Sequence, residues 1–209
     1  MTQYKYEKEI LEQGIYFKNV DFESGCYDDS MKQYNKISGM QIYQHPLQLF
    51  KLCEWLEDKE INTYVEIGTW FGGMFVFMND FLRKHNNNLV SYGYDVKPRP
   101  NKVTMLQEKY GYDKVFYRKG DCQKSPLPKQ SIDLCFIDGD HHYENIKADF
   151  ERFGKASKYV IFHDILAQNV PDCKRFWDEI KDDYESFEII DQYPNATGSH
   201  FGYGILICQ

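Results

Sequence analysis

From residue 46 onward, short apolar runs alternate with amphipathic ones. Thr63–Ile67 (TYVEI) reads as a buried strand that stops at Gly68. From Gly72 to about His85, the residues Met74, Phe77, Met78, Phe81 and Leu82 recur at helical spacing. Further strands are expected over Leu89–Asp95, Lys114–Arg118, Ile132–Asp138 and Tyr159–His163. Pro98 and Pro100 break the chain before a helix over 101–111, and a second helix is expected over 142–154. A third starts at Pro171, a residue suited to a first helical turn, and runs to about Tyr184. Phe187–Asp191 and Tyr203–Cys208 close the chain as two strands with no helix between them, which predicts an antiparallel hairpin. Ahead of all these, PLQLFKLCEWLED from Pro46 predicts a helix beside the first strand, with Leu47, Phe50, Leu52 and Leu56 inward.

Alternating strands and helices imply a sheet covered on both faces. The expected class is α/β: a Rossmann-like doubly wound seven-stranded sheet, mostly parallel, with a terminal antiparallel hairpin. Residues 1–45 show no clean period and are expected to form an N-terminal extension that simply packs on the domain, a lid, or a contact in a homo-oligomer, with 46–209 as the main domain.

A hydrophobic fraction of 42% and an aromatic fraction of 17% exclude a disordered chain. The net charge of −7, with no basic stripe, argues against a nucleic-acid partner. The Lys97–Arg99–Lys102 cluster reads as a solvated surface. Six scattered cysteines with no CxxC pair point to reduced thiols and a cytoplasmic setting. No signal peptide is visible, and no run approaches the roughly 20 apolar residues of a membrane span.

In a doubly wound sheet, ligands bind beyond the carboxyl ends of the strands. The residues there are Glu66–Gly73, Asp95, Gly120–Asp121, Asp138–His142 and His163–Asp164. Each of the five ends carries an acid, so together they predict a negative rim around one crevice. Gly68, Gly72 and Gly73 let backbone approach a ligand, or simply make a tight turn. The dinucleotide pattern GxGxxG is absent, which weakens a nicotinamide reading. Asp95 is placed to accept both hydroxyls of a ribose, and Asp121 to hold an adenine amino group. Each is also ordinary turn chemistry.

E-I-G-x-x-x-G-G at 66–73, the acid closing the second strand and G-D at 120–121 resemble the cofactor motifs of class I S-adenosylmethionine-dependent methyltransferases. IDLCFIDGDHHYENIKADF at 132–150 closely resembles a branch that includes cephalosporin-hydroxylase-like proteins and sugar or macrolide O-methyltransferases. VIFHDI at 160–165, KRFWDEIK at 174–181 and the closing GYGILI fit the same branch, whereas His142 stands where a small residue is usual. The resemblance covers about 60–208 and makes 46–209 a methyltransferase domain. It implies S-adenosyl-L-methionine held by Glu66, Gly68, Thr69, Gly72, Gly73, Asp95, Asp121 and Asp138. It also implies Mg²⁺ or another divalent cation on Asp138 and Asp164, with His163 as a further candidate ligand. A cation there would lower the pKa of an acceptor hydroxyl, and His141, assisted by Asp138, would take its proton. The acceptor implied is a small hydroxylated molecule, a sugar or a natural product.

Asp140-His141-His142 also spells the DHH signature of metal-dependent phosphoesterases, and His163-Asp164 the HD pair of a helical class. A cofactor-binding module without turnover is a third alternative. Uptake of S-adenosylmethionine, and then turnover, separates these readings.

Overall fold

The computed structural model describes residues 15–17, 40–42, 44–192 and 201–208. Its main sheet has seven strands in the order β5-β4-β3-β6-β7-β9-β8. They are β3 (Thr63–Ile67), β4 (Val90–Asp95), β5 (Val115–Lys119), β6 (Ile132–Ile137), β7 (Ser157–Phe162), β8 (Glu185–Ile189) and β9 (Tyr203–Ile207). β9 pairs antiparallel with both β7 and β8, and every other pairing in the sheet is parallel. The expected architecture is therefore present: a mostly parallel sheet ending in an antiparallel hairpin. The hairpin's second strand lies inside the sheet and its first strand forms the edge.

Among the described residues five α-helices cover the sheet: α1 (Pro46–Leu56), α2 (Gly73–Arg83), α3 (Asn101–Tyr110), α4 (Tyr143–Arg152) and α5 (Pro171–Ile180). Two apolar clusters result, each anchored on alternate strand positions. Tyr64, Leu134, Phe136 and Ile161 face one cluster with α1 and α2. Val65, Cys135, Ile137 and Phe162 face the other with α4 and α5. Strand side chains alternate between faces, so a strand covered on both sides is apolar throughout. The burial of all five residues of β3 follows from this.

α1 buries Leu47, Phe50, Leu52 and Leu56 as expected. It shares a core with Tyr64 of β3, yet its ring contacts lie further along the sheet. Trp55 packs edge-on against Tyr159 of β7 and Phe187 of β8. A short parallel pair, β1 (Ile15–Phe17) with β2 (Met40–Ile42), precedes α1 and has no counterpart among the expected elements. Apart from these strands, Gln44 and His45, the expected extension lies outside the described residues, as does most of the β8–β9 connection. None of the five described cysteines is in a disulfide. Among the described residues no helix is long and apolar enough to cross a membrane.

Candidate active site

The carboxyl ends of β3, β4, β5, β6 and β7 surround a cavity of about 710 Å³. That lies within the ordinary range for small-molecule and cofactor sites. Its walls include Gly68, Trp70, Asp95, Asp121, Asp138, His141 and Asp164. The strand ends are tied to one another. Gly68 N–H donates to the Tyr94 carbonyl at 2.8 Å, and Asp138 N–H to the Ile67 carbonyl at 2.9 Å.

The β3–α2 turn needs its glycines for two reasons. Gly68 has φ +86°, and a Cβ there would lie 1.9 Å from the Asp138 carbonyl oxygen. Gly72 precedes α2 with φ +78°. Both conformations are strained for other residues. Trp70 also has a positive φ, 45°, and its N–H donates to Asp95 Oδ2 at 2.6 Å. Lys97 N–H donates to the other Asp95 oxygen at 2.8 Å. The Asp95 carboxylate is thus aimed by two backbone donors while it stays on the cavity wall.

Other residues of this turn stand back from the cavity. Glu66 is buried beneath it, accepts a hydrogen bond from the Tyr64 hydroxyl, and meets the Phe75 backbone. Burial pushes its carboxyl well above the usual range. The methyl of Thr69 turns toward Gly93. Gly72 and Gly73 shape the helix start and do not line the cavity. Asp121 caps the turn after β5 by accepting from Gln123 N–H at 2.9 Å, and it pairs with Lys124 at 3.0 Å.

Asp138, His141 and Asp164 converge, with potential ligand atoms all within 4.8 Å of one another. His141 Nε2 is 3.5 Å from Asp138 Oδ1 and 3.3 Å from Asp164 Oδ2. The hydrogen bond to Asp138 raises the His141 pKa despite partial burial. Asp164 holds its place at φ +63°. Its neighbour His163 lies behind the acids, buried against Phe136, Phe201 and Tyr203. His163 Nδ1 is 3.1 Å from Asp138 Oδ1 and 3.4 Å from Asp164 Oδ1. Burial opposes its charge, but the two carboxylates outweigh burial and lift the imidazole to about 10. Burial likewise opposes ionisation of Asp138, while the histidines bring that carboxyl down to about 2. The Asp138 charge is therefore held in a mostly enclosed place by neighbours that favour it.

Sequence reasoning missed Gln44. Its amide donates to Asp138 Oδ2 at 3.2 Å and accepts from the Tyr203 hydroxyl at 2.6 Å. Nothing in the pattern before Pro46 signals this. It also missed Trp70, Lys97, Cys122, Gln123 and Asn145 on the cavity wall. Their inward position depends on how the loops fold, which periodicity does not carry.

The DHH reading loses its geometry here. The His142 side chain is 82% exposed and pairs with Asp140, away from the Asp138–Asp164 cluster. The HD pair ends a strand of a parallel sheet, not a helix.

A family model described as a methyltransferase domain matches residues 65–165. An uncharacterised protein of Acanthamoeba polyphaga mimivirus is 31% identical over 166 residues, 68% of this chain and 72% of that one. Among solved structures, the tomaymycin-synthesis O-methyltransferase of Streptomyces achromogenes, determined with S-adenosylmethionine, superposes with a TM-score of 0.62. Its identity is 12%, with all of both chains covered. The TDP-rhamnose 3′-O-methyltransferase of calicheamicin biosynthesis gives a TM-score of 0.56 at 15% identity, covering 97% of this chain and 91% of that one. At such identities these two speak to the fold. The matched segment holds the glycine turn, the Asp95 strand end and the Asp138–Asp164 cluster. The chain carries a methyltransferase domain over residues 65–165 and shares a family with the mimivirus protein. It is a class I S-adenosylmethionine-dependent methyltransferase.

Proposed function

We propose that this enzyme methylates a hydroxyl oxygen of a small acceptor, a sugar or a glycosylated natural product, with help from a divalent cation. The observation that carries this reading is the convergence of Asp138, His141 and Asp164 on the cavity beside the glycine turn. The two solved structures named above, both O-methyltransferases by name, support the oxygen acceptor.

S-adenosylmethionine supplies the methyl group as a sulfonium electrophile, which needs alignment more than activation. The Gly68 turn fits such a ligand because it leaves bare backbone where a Cβ would collide. Asp95 accepts the ribose hydroxyls, with its carboxylate fixed by Trp70 and Lys97. The Asp121–Gln123 turn closes the base end of the cavity.

A hydroxyl is a poor nucleophile near neutral pH, so oxygen transfer needs a proton acceptor and local positive charge. Two carboxylates suit Mg²⁺ or Mn²⁺, which would supply Lewis acidity. Asp138 and Asp164 would hold such an ion. His141, a third of its side chain exposed, is placed to hold or move the acceptor's proton at Nε2. His163, buried behind the acids, orients their carboxylates.

The test uses labelled cofactor, a panel of hydroxylated sugars and phenols, and His141→Ala. Label on oxygen with a His141→Ala loss of at least tenfold is expected, since acid–base groups contribute about 10²–10⁴-fold. Label only on nitrogen, or a fully active His141→Ala enzyme, overturns the mechanism. Activity that persists after exhaustive chelation removes the cation from it.

A further inference from the structure

We propose that Gln44 is a positioning residue: its amide, aimed by the Tyr203 hydroxyl, fixes the Asp138 carboxylate for the cation. This rests on the reading of Asp138 and Asp164 as the cation's ligands, and it gives the segment ahead of α1 a part in the site.

Gln44 stands just before α1, outside the segment 65–165 that the methyltransferase model matches. It is 1% exposed. Its Nε2 donates to Asp138 Oδ2 at 3.2 Å, and its Oε1 accepts from the Tyr203 hydroxyl at 2.6 Å. The second bond decides which end of the amide meets the acid. Turned over, the amide would set its oxygen against the carboxylate, and two acceptors would face each other in a buried place. Tyr203 is itself held. It is fully buried on β9, with its ring 5.5 Å from that of His163 and 5.9 Å from that of Phe136. His163 Nδ1 in turn lies 3.1 Å from the other carboxylate oxygen, Asp138 Oδ1. The contacts therefore close a ring that runs from Asp138 through Gln44, Tyr203 and His163 back to Asp138.

The ring acts on one torsion. A carboxylate turns about its last bond with only a broad, two-fold preference. Gripped at one oxygen it still swivels; gripped at both, it turns only by breaking a bond. Asp138 lines the cavity, whereas among the described residues Gln44 and Tyr203 stand behind its wall. Each Asp138 oxygen spends one lone pair on a partner at the back and keeps another for a ligand. A partner that orients a metal-binding side chain is worth about 10–100-fold in metal affinity.

The test titrates Mn²⁺ into the intact chain saturated with S-adenosylhomocysteine and follows both ligands by calorimetry. Gln44→Met keeps the bulk of the side chain and removes both hydrogen bonds. Its Mn²⁺ affinity should fall tenfold or more, while S-adenosylhomocysteine binds within about twofold of native. Tyr203→Phe deletes one oxygen and frees the amide to turn over, so its Mn²⁺ affinity should fall roughly threefold. Melting temperatures show whether each variant is folded. Should Gln44→Met fail to fold, Tyr203→Phe decides, and native Mn²⁺ affinity there overturns the proposal. Mn²⁺ affinity that is unchanged or tighter in Gln44→Met overturns it and leaves the cation reading standing. Equal losses of Mn²⁺ and S-adenosylhomocysteine overturn it too, because Gln44 would then serve the fold alone. A native chain that takes up S-adenosylhomocysteine but no Mn²⁺ removes the cation reading and this inference together.

Discussion

Gly68 carries two separable demands, a positive φ and a missing Cβ. Gly120 has φ +133°, but a Cβ added there would meet nothing within 4 Å. Strain in such a conformation costs about 1–3 kcal/mol. Gly120→Ala should lose that much in a denaturant titration and keep its affinity for S-adenosylhomocysteine. Gly68→Ala should lose more stability, because the Asp138 carbonyl must move, and its affinity should fall at least tenfold. Asp95→Ala, which frees the Trp70 and Lys97 N–H groups as well as removing a carboxylate, should lower that affinity by about 1.5–3 kcal/mol. Unchanged calorimetric affinity would remove Asp95 from the ribose. Glu66 makes a prediction in pH. An acid whose folded pKa is raised binds its proton more tightly in the folded chain. Its share of stability is present below the unfolded pKa of about 4.3 and is lost as pH rises toward the folded value. Glu66→Gln should flatten that decline in melting temperature across the weakly acidic range.

At the scale of elements, all seven strands of the main sheet and the five described α-helices were readable from periodicity, with ends off by a few residues. β7 begins at Ser157, two residues before the apolar signal at Tyr159, because Ser157 is polar yet buried and pairs with Ile132 of β6. The pair β1–β2 was not readable, since three-residue strands carry too few positions to show a period. Asp133 shows what pattern alone misses within a strand. It sits at a half-buried position of β6, and its Oδ2 accepts the N–H groups of Asn62 and Thr63 at 2.7 and 2.9 Å. It thereby pins the start of β3. Asp133→Ala should destabilise the chain by about 1–3 kcal/mol, read by urea unfolding, because a part-buried donor loses its acceptor. A loss no larger than that of an ordinary surface substitution would show that water replaces the carboxylate.

For the whole molecule, the site was legible as a place but only partly as a set of contacts. Topology dictates that strand ends meet at one crevice, so Asp95, Asp138 and Asp164 could be named from order alone. Which side chain turns inward depends on loop geometry, and this is why Glu66 and Thr69 lie under the turn while Trp70 and Asp149 face the cavity. Gln44 comes from far away in sequence, and no local rule announces such a contact. The placement of β9 has a further consequence, in the timing of synthesis. The chain leaves the ribosome with β7 and β8 already made and the slot between them empty. Both flanks of that slot then offer unpaired backbone until Tyr203–Ile207 emerges. During this interval the nascent chain is a template for wrong partners. A stop codon placed before Phe201 should make the interval permanent and yield aggregated protein, measured by sedimentation. Supplying the missing strand as a free peptide should recover soluble material, since the slot it enters is bounded on two sides.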